Sequence, residues 1–164
     1  MKILNEVQIK QKITRLAYQI AEQHTSEPEL VLAGINNNGL HFARLIYDHL
    51  SKIFPGKIIL ANLRLNPAAP LSSPMTIDLT AQDLTGKSII VTDDVANTGR
   101  TIFYALKPLL EVMPKKVEVA VLVDRTHKHF PVLVNYVGLS LATTLMEDID
   151  VSIRNVNEMA VFLN

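Results

Sequence analysis

The chain has 164 residues, with 16 basic and 16 acidic side chains and a formal net charge of zero. That length suits one domain burying roughly two thirds of its unfolded surface, and the neutral balance lacks the electrostatic footprint of a non-specific nucleic-acid binder. With no cysteine, disulfides and thiolate metal sites are excluded; with no charged-then-apolar leader and no run of ~18 apolar residues, a cytoplasmic protein is expected. Apolar residues make up 48% and aromatics 5%, a composition for a core of Ile, Leu, Val and Ala around parallel strands.

Ile9, Ile13, Leu16, Ala17 and Ile20 recur at helical spacing, which predicts an amphipathic helix over residues 6 to 24. Leu30 to Ile35 reads as a short buried strand. Asn36-Asn37-Asn38-Gly39 is a turn cluster that opens a second helix, with Phe42, Ala43, Ile46 and Leu50 aligned and Pro55-Gly56 ending the segment. Ile58 to Leu65 is the next strand. Residues 66 to 74 hold three prolines without periodicity, the pattern of an exposed loop, here expected to cover a site.

Ser88 to Ile102 carries the strongest signal. Ile89, Ile90 and Val91 predict a strand covered on both faces, which runs into Asp93-Asp94 and then a small-residue turn ending in Thr98-Gly99-Arg100-Thr101. Unpaired amides at the start of the following helix favour a phosphate monoester, and two carboxylates one short turn away can accept from vicinal hydroxyls or hold Mg²⁺ through water. Phosphate plus diol is a ribose 5-phosphate. Taken alone, the acid pair could equally cap a helix, so the Thr98 to Thr101 spacing decides the functional reading. The helix after Gly99 is expected to align Ile102, Ala105, Leu106, Leu109 and Leu110 on one face, with a kink at Pro108.

Strands are further expected at Val117 to Val123, Val132 to Val137 and Val151 to Val156. Strands alternating with helices imply a parallel sheet with ligands beyond the carboxyl ends of the strands, where Asp93-Asp94 and Asp124-Arg125 both fall. No repeat or second domain is visible, so residues 1–164 form one domain. Thr85-Gly86-Lys87-Ser88 imitates the end of a Walker A loop, but it precedes a strand, so a strand-initiating turn is the better reading. His127 and His129 lack a nearby third metal ligand and read as a solvated basic loop.

The run of hydrophobic strand, Asp-Asp and Thr-Gly-Arg-Thr resembles the 5-phosphoribosyl 1-diphosphate (PRPP) signature of type I phosphoribosyltransferases. Val121 to Pro131, with Asn135-Tyr-Val-Gly138 and Thr143, resembles the PyrR group, pyrimidine-operon attenuators with uracil phosphoribosyltransferase activity; Thr14 to Ala17 and Leu32 to Ile35 extend the likeness. The resemblance implies an α/β fold, a parallel-core twisted sheet flanked by helices, with a small hood or loop over the site. It implies a pentosyltransferase that joins a base, uracil in the PyrR group, to PRPP and releases diphosphate.

On that likeness Asp93 and Asp94 hold the ribose hydroxyls. Ala96, Asn97, Thr98, Gly99, Arg100 and Thr101 wrap the 5-phosphate, and Val123, Asp124 and Arg125 meet the base. Mg²⁺ is held through PRPP and water near the acid pair, with no direct side-chain ligation. The diphosphate loop, basic in PyrR-like proteins, is here Asn36, Asn37, Asn38 and Gly39, which implies weakened diphosphate binding and slowed turnover, or a nucleotide or PRPP sensor. RNA is a less favoured partner, because Leu139 stands where the group carries a lysine, although Arg125, His127 and Lys128 are kept. Family members commonly form dimers or tetramers, so a homo-oligomer is expected.

Overall fold

The computed structural model describes residues 1–164. A short strand β1 (Lys2–Leu4) leads into helix α1 (Glu6–Gln23). Asn5 starts this helix with a capping box: its side chain accepts from the Gln8 amide at 2.9 Å, while Gln8 Oε1 accepts from the Asn5 amide. The expected stripe of Ile9, Ile13, Leu16, Ala17 and Ile20 is buried. Strand β2 (Glu29–Ile35) follows and passes without a break into helix α2 (Asn36–Leu50), whose Phe42, Ala43, Ile46 and Leu50 are buried as the spacing requires.

Strand β3 (Lys57–Arg64), the two-residue β4 (Thr76–Ile77) and the one-turn helix α3 (Ala81–Leu84) lead to β5 (Ser88–Ala96). Helix α4 (Arg100–Ala105), a 3-10 segment over Lys107–Glu111, β6 (Lys116–Arg125) and β7 (Tyr136–Leu141) complete the main unit. Its sheet has the order β4-β3-β2-β5-β6-β7, parallel except for β4, which pairs antiparallel with the end of β3. The central β5 is covered on both faces. Ile90 packs with the α1 and α2 stripes on one side, and Ile89 and Val91 pack with Ile102, Ala105 and Leu109 on the other. That double burial is why this strand reads as a continuous apolar run.

Strands β8 (Ile149–Ser152) and β9 (Ala160–Leu163) pair antiparallel, and β9 also pairs with β1, so the two chain ends form a second sheet of three strands in the order β1-β9-β8. Part of this sheet was expected as one strand over Val151 to Val156. That strand stops at Ser152, because Ile153 turns into the core and Asn155 takes a left-handed φ of 56°.

Two further expectations shift. The strand expected over Val132 to Val137 begins at Tyr136, because the Asn135 side chain takes the Val119 amide at 2.9 Å and occupies the first rung of the β6–β7 ladder. The helix after Gly99 unwinds after Ala105 into the 3-10 segment, with Pro108 at its start, where its missing N–H leaves no bond unmade. Leu110 is therefore rotated out of the expected apolar face and is 80% exposed, while Ile102, Ala105 and Leu109 stay buried. Residues 66 to 74 form the expected loop without regular structure. No helix is long and apolar enough to cross a membrane.

Candidate active site

The chain leaves β2 for α2 on one side of the sheet centre and β5 for α4 on the other, so the carboxyl ends of β2 and β5 flank a topological switch point. A cleft of about 370 Å³ opens there, between the Asn36–Asn38 turn, the Asp93–Asp94 pair and the Asn97–Thr101 loop, with Pro67 of the 66 to 74 loop at its edge. The structure thus brings together the sequence-derived candidates for diphosphate, ribose and 5-phosphate. It places the base candidates, Val123, Asp124 and Arg125, on the neighbouring strand β6, whose end pairs with Val95 and Ala96.

Asp93 and Asp94 lie inside β5 and not beyond it, since the strand's pairing with β6 continues to Ala96. They are only 9% and 7% exposed. The Asp94 amide donates to Asp93 Oδ1 at 2.9 Å, the Val95 amide to Asp94 Oδ1 at 2.8 Å, and Asn38 Nδ2 to Asp94 Oδ2 at 3.0 Å. Burial pushes the Asp93 carboxyl well above the usual carboxylate range, and the adjacent Asp94 charge adds to the shift. Burial also raises Asp94, although its hydrogen-bond donors offset part of that. Two buried carboxylates facing a cleft are thus held at high energy when ionised, and a cation or hydroxyl donors would relieve them.

The asparagine turn is a built structure. Asn36 adopts a left-handed φ of 50°, its Oδ1 accepts from the Leu65 amide at 3.1 Å, and its carbonyl accepts from Asn62 Nδ2 at 2.9 Å. Asn62 Nδ2 also donates to the Gly34 carbonyl at 2.9 Å, and the Asn62 amide donates to Asp78 Oδ1. Asn36 and Asn62 therefore clamp the start of α2 to the end of β3, and the Asn36 side chain is committed to the fold. Asn37 projects into solvent with no such bond, and Asn38 spans to Asp94. Gly39 follows because a Cβ there would sit 2.5 Å from the Thr92 carbonyl; the glycine lets α2 lie against β5, with Thr92 Oγ1 donating to the Gly39 carbonyl.

Replacing Asn62 by Leu strands two carbonyls, each unmade bond costing about 1–3 kcal/mol. A lower Tm and weaker binding of diphosphate-bearing ligands, measured by calorimetry, are expected. An unchanged Tm would show that the clamp carries no load.

Across the cleft, Gly99 caps α4 with a φ of 86° and leads the 5-phosphate candidates into the helix. At six residues α4 has little macrodipole, so the amides of the loop itself are the available anion donors. Asn97 Oδ1 is buried there with no partner, a polar atom aimed at nothing the chain supplies. The Thr98 carbonyl accepts from the His129 and Phe130 amides at 3.0 and 3.1 Å, which braces this loop against the segment after β6. A Cβ on Gly99 would press on Val132 at 3.3 Å in a backbone conformation that L side chains rarely adopt. Gly99→Val is expected to remove nucleotide binding with a loss of stability of about 1–2 kcal/mol, readable as a lost calorimetric signal beside an intact circular-dichroism spectrum.

At the β6 end, Lys128 Nζ donates to Asp124 Oδ1 at 2.6 Å, to the Ala96 carbonyl at 3.3 Å and to the Arg125 carbonyl. Arg125 donates to the Thr144 carbonyl. Asp124 and Arg125 are thus bound within the chain. His127 and His129 face each other at 3.2 Å between Nε2 atoms, and no group of three potential metal-ligating side chains occurs anywhere in the chain. Sequence reasoning missed Asn62 and the bracing role of Lys128, because each acts through a contact that no local motif encodes.

A family model described as "Phosphoribosyl transferase domain" matches residues 2–152. The chain belongs to the type I phosphoribosyltransferase family. The "Bifunctional protein PyrR" of Streptococcus uberis is 36% identical over 159 residues, covering 95% of this chain and 91% of that protein. The Streptococcus pyogenes protein of the same name is 35% identical over 161 residues, with the same coverage.

Among solved structures, a hypoxanthine-guanine phosphoribosyltransferase from Bacillus anthracis superposes with a TM-score of 0.75 at 19% identity, over 97% of this chain and 95% of that one. The hypoxanthine phosphoribosyltransferase of Trypanosoma cruzi gives 0.78 at 17% identity, over 98% and 95%. At such identities these two share the fold. As a type I phosphoribosyltransferase the chain is a pentosyltransferase of nucleotide metabolism, and its sequence places it beside PyrR.

Proposed function

We propose that the protein transfers the phosphoribosyl group of PRPP to uracil, breaking the C1–O bond to diphosphate as the C1–N bond forms. The observation that carries this reading is the juxtaposition, across one cleft, of the buried acid pair with the Asn36–Asn38 turn on one side and the Asn97–Thr101 loop on the other. Asp93 and Asp94 accept from the ribose hydroxyls, the amides of Thr98 to Thr101 hold the 5-phosphate, and the α2 turn receives the diphosphate. The acid pair also fits a magnesium ion: its oxygen donors suit a hard cation, and burial, which raises both carboxyls, makes their ionised form one that a nearby cation would stabilise. With no third carboxylate near, the ion would be held by PRPP oxygens and water beside the acid pair, without direct side-chain ligation. The metal, when bound, offsets charge on the leaving diphosphate. The protein's part is to hold C1 and the base nitrogen in line and to exclude water.

Uracil is chosen through the likeness of the Val121 to Pro131 segment to PyrR. Incubation with PRPP, Mg²⁺ and uracil, hypoxanthine or guanine, with products separated by chromatography, is expected to yield UMP; the appearance of only a purine nucleotide would overturn the base assignment. A second reading, PRPP or nucleotide binding with slowed turnover, is supported by the absence of any cation in the Asn36–Asn38 turn. An RNA partner draws less support. Arg125 and Lys128 are engaged within the chain, and Leu139 is a half-buried packing residue of the core.

A further inference from the structure

The second sheet places a cation beside the neutral turn. Ile153 is 3% exposed and locked into the core, Asn155 is held at a left-handed φ, and between them Arg154 projects from the surface. Its Nε donates to Asn38 Oδ1 at 3.0 Å, and the same amide donates through Nδ2 to Asp94 Oδ2 at 3.0 Å. One side chain thus links a guanidinium from the end of β8 to a carboxylate of β5 across the mouth of the cleft. The two terminal nitrogens of Arg154 make no hydrogen bond or ion pair with any group of the chain. A planar guanidinium anchored by Nε, with its fork free, has the geometry that grips two oxygens of a phosphate. The sole cation lining the cleft itself is Arg100, on the 5-phosphate side.

We propose that Arg154 is a diphosphate-binding residue of this protein, supplying from the second sheet the positive charge that the Asn36–Asn38 turn lacks. The inference rests on the phosphoribosyl-transfer reading and adds a substrate-contacting residue to it. Asn38 holds the guanidinium at the rim. In the complex Nε keeps that anchor, and the fork closes on the diphosphate oxygens. The affinity of diphosphate-bearing ligands, and not that of nucleoside monophosphates, then depends on this side chain, because a monophosphate needs only the Asn97–Thr101 loop.

The test is calorimetric titration of the full chain, with Mg²⁺ present, against PRPP, inorganic diphosphate and UMP, for the wild type, Arg154→Ala and Arg154→Lys. Arg154→Ala is expected to weaken PRPP and diphosphate at least about tenfold and UMP less than about twofold, with Arg154→Lys recovering part of the loss. An exposed side chain leaves the fold intact on removal, and an unchanged Tm in the same samples verifies that. If the wild type binds PRPP and Arg154→Ala binds it equally well, the inference fails and the phosphoribosyl reading stands. If Arg154→Ala weakens PRPP and UMP alike, Arg154 is a strut between the second sheet and α2, and the inference fails. If the wild type binds UMP but neither PRPP nor diphosphate, both the reading and the inference fail.

Discussion

Replacing Asp93 and Asp94 together by Asn is expected to raise the thermal stability of the unliganded protein at neutral pH while weakening PRPP at least about tenfold. Both effects have one cause. Burial raises both carboxyls in the folded state, so the native protein retains protons that the unfolded chain releases near pH ~4. Stability is therefore fully present below the unfolded pKa and is lost as pH rises from there through the folded values. Asparagine at both positions keeps an acceptor for the Asp94 and Val95 amides and for Asn38, but removes the buried charge.

Each ~1 kcal/mol recovered moves Tm by about 2–4 °C in a domain of this size, and the fall of Tm as pH rises above the ordinary carboxylate range should flatten. Ligand binding loses two charge-assisted acceptors, each contributing about 1.5–3 kcal/mol. Tm against pH by differential scanning fluorimetry, beside PRPP titration, reads both. A double variant that is less stable at pH 8, or that keeps the wild-type slope, would show that these carboxyls are not strained by burial.

The contrast between what the sequence disclosed and what it hid follows from range. Strand β5 was legible because both its faces are buried, so its apolar run is continuous, and α1 because a long amphipathic helix repeats its signal over several turns. Asp93-Asp94, Asn36 to Asn38 and Thr98 to Thr101 could be picked out as candidates because each is a contiguous segment, and the structure brings them to one cleft. The β1-β9-β8 sheet was not, since its strands span three or four residues and pair across nearly the whole chain. Asn62 and Arg154 reach their partners over 26 and 116 residues, and a lone Asn or Arg in sequence has no spacing to betray it. Leu110 departs from the expected apolar face because 3.6-residue periodicity does not hold in the 3-10 segment that contains Pro108.

The same distinction decides where charge can be added to the Asn36–Asn38 turn. The resemblance to PyrR-like proteins suggests adding two cations to this turn with Asn36→Lys and Asn38→Arg. The structure reverses that choice. Asn36 holds Leu65 with its side chain and sits in the left-handed region, where a lysine is strained by about 1–3 kcal/mol, and Asn38 is the bridge between Asp94 and Arg154. Asn37 alone is free. Asn37→Lys is therefore expected to raise PRPP affinity, and the rate of UMP formation if diphosphate stabilisation limits it, by about tenfold. Two unit charges at 4 Å attract by about 4 kcal/mol at an effective dielectric near 20, and solvent exposure reduces this to about 1–2 kcal/mol. The effect should shrink as salt is raised. Asn36→Lys with Asn38→Arg, despite adding twice the charge, is expected to lower Tm and PRPP affinity together, because it dismantles the clamp to β3 and places a cation beside Arg154. Titration of both variants at two ionic strengths separates the alternatives. If the double variant gains affinity and Asn37→Lys does not, charge count governs this turn and its hydrogen-bonded architecture is dispensable; the opposite order means the turn must first be held in shape before a cation there can act.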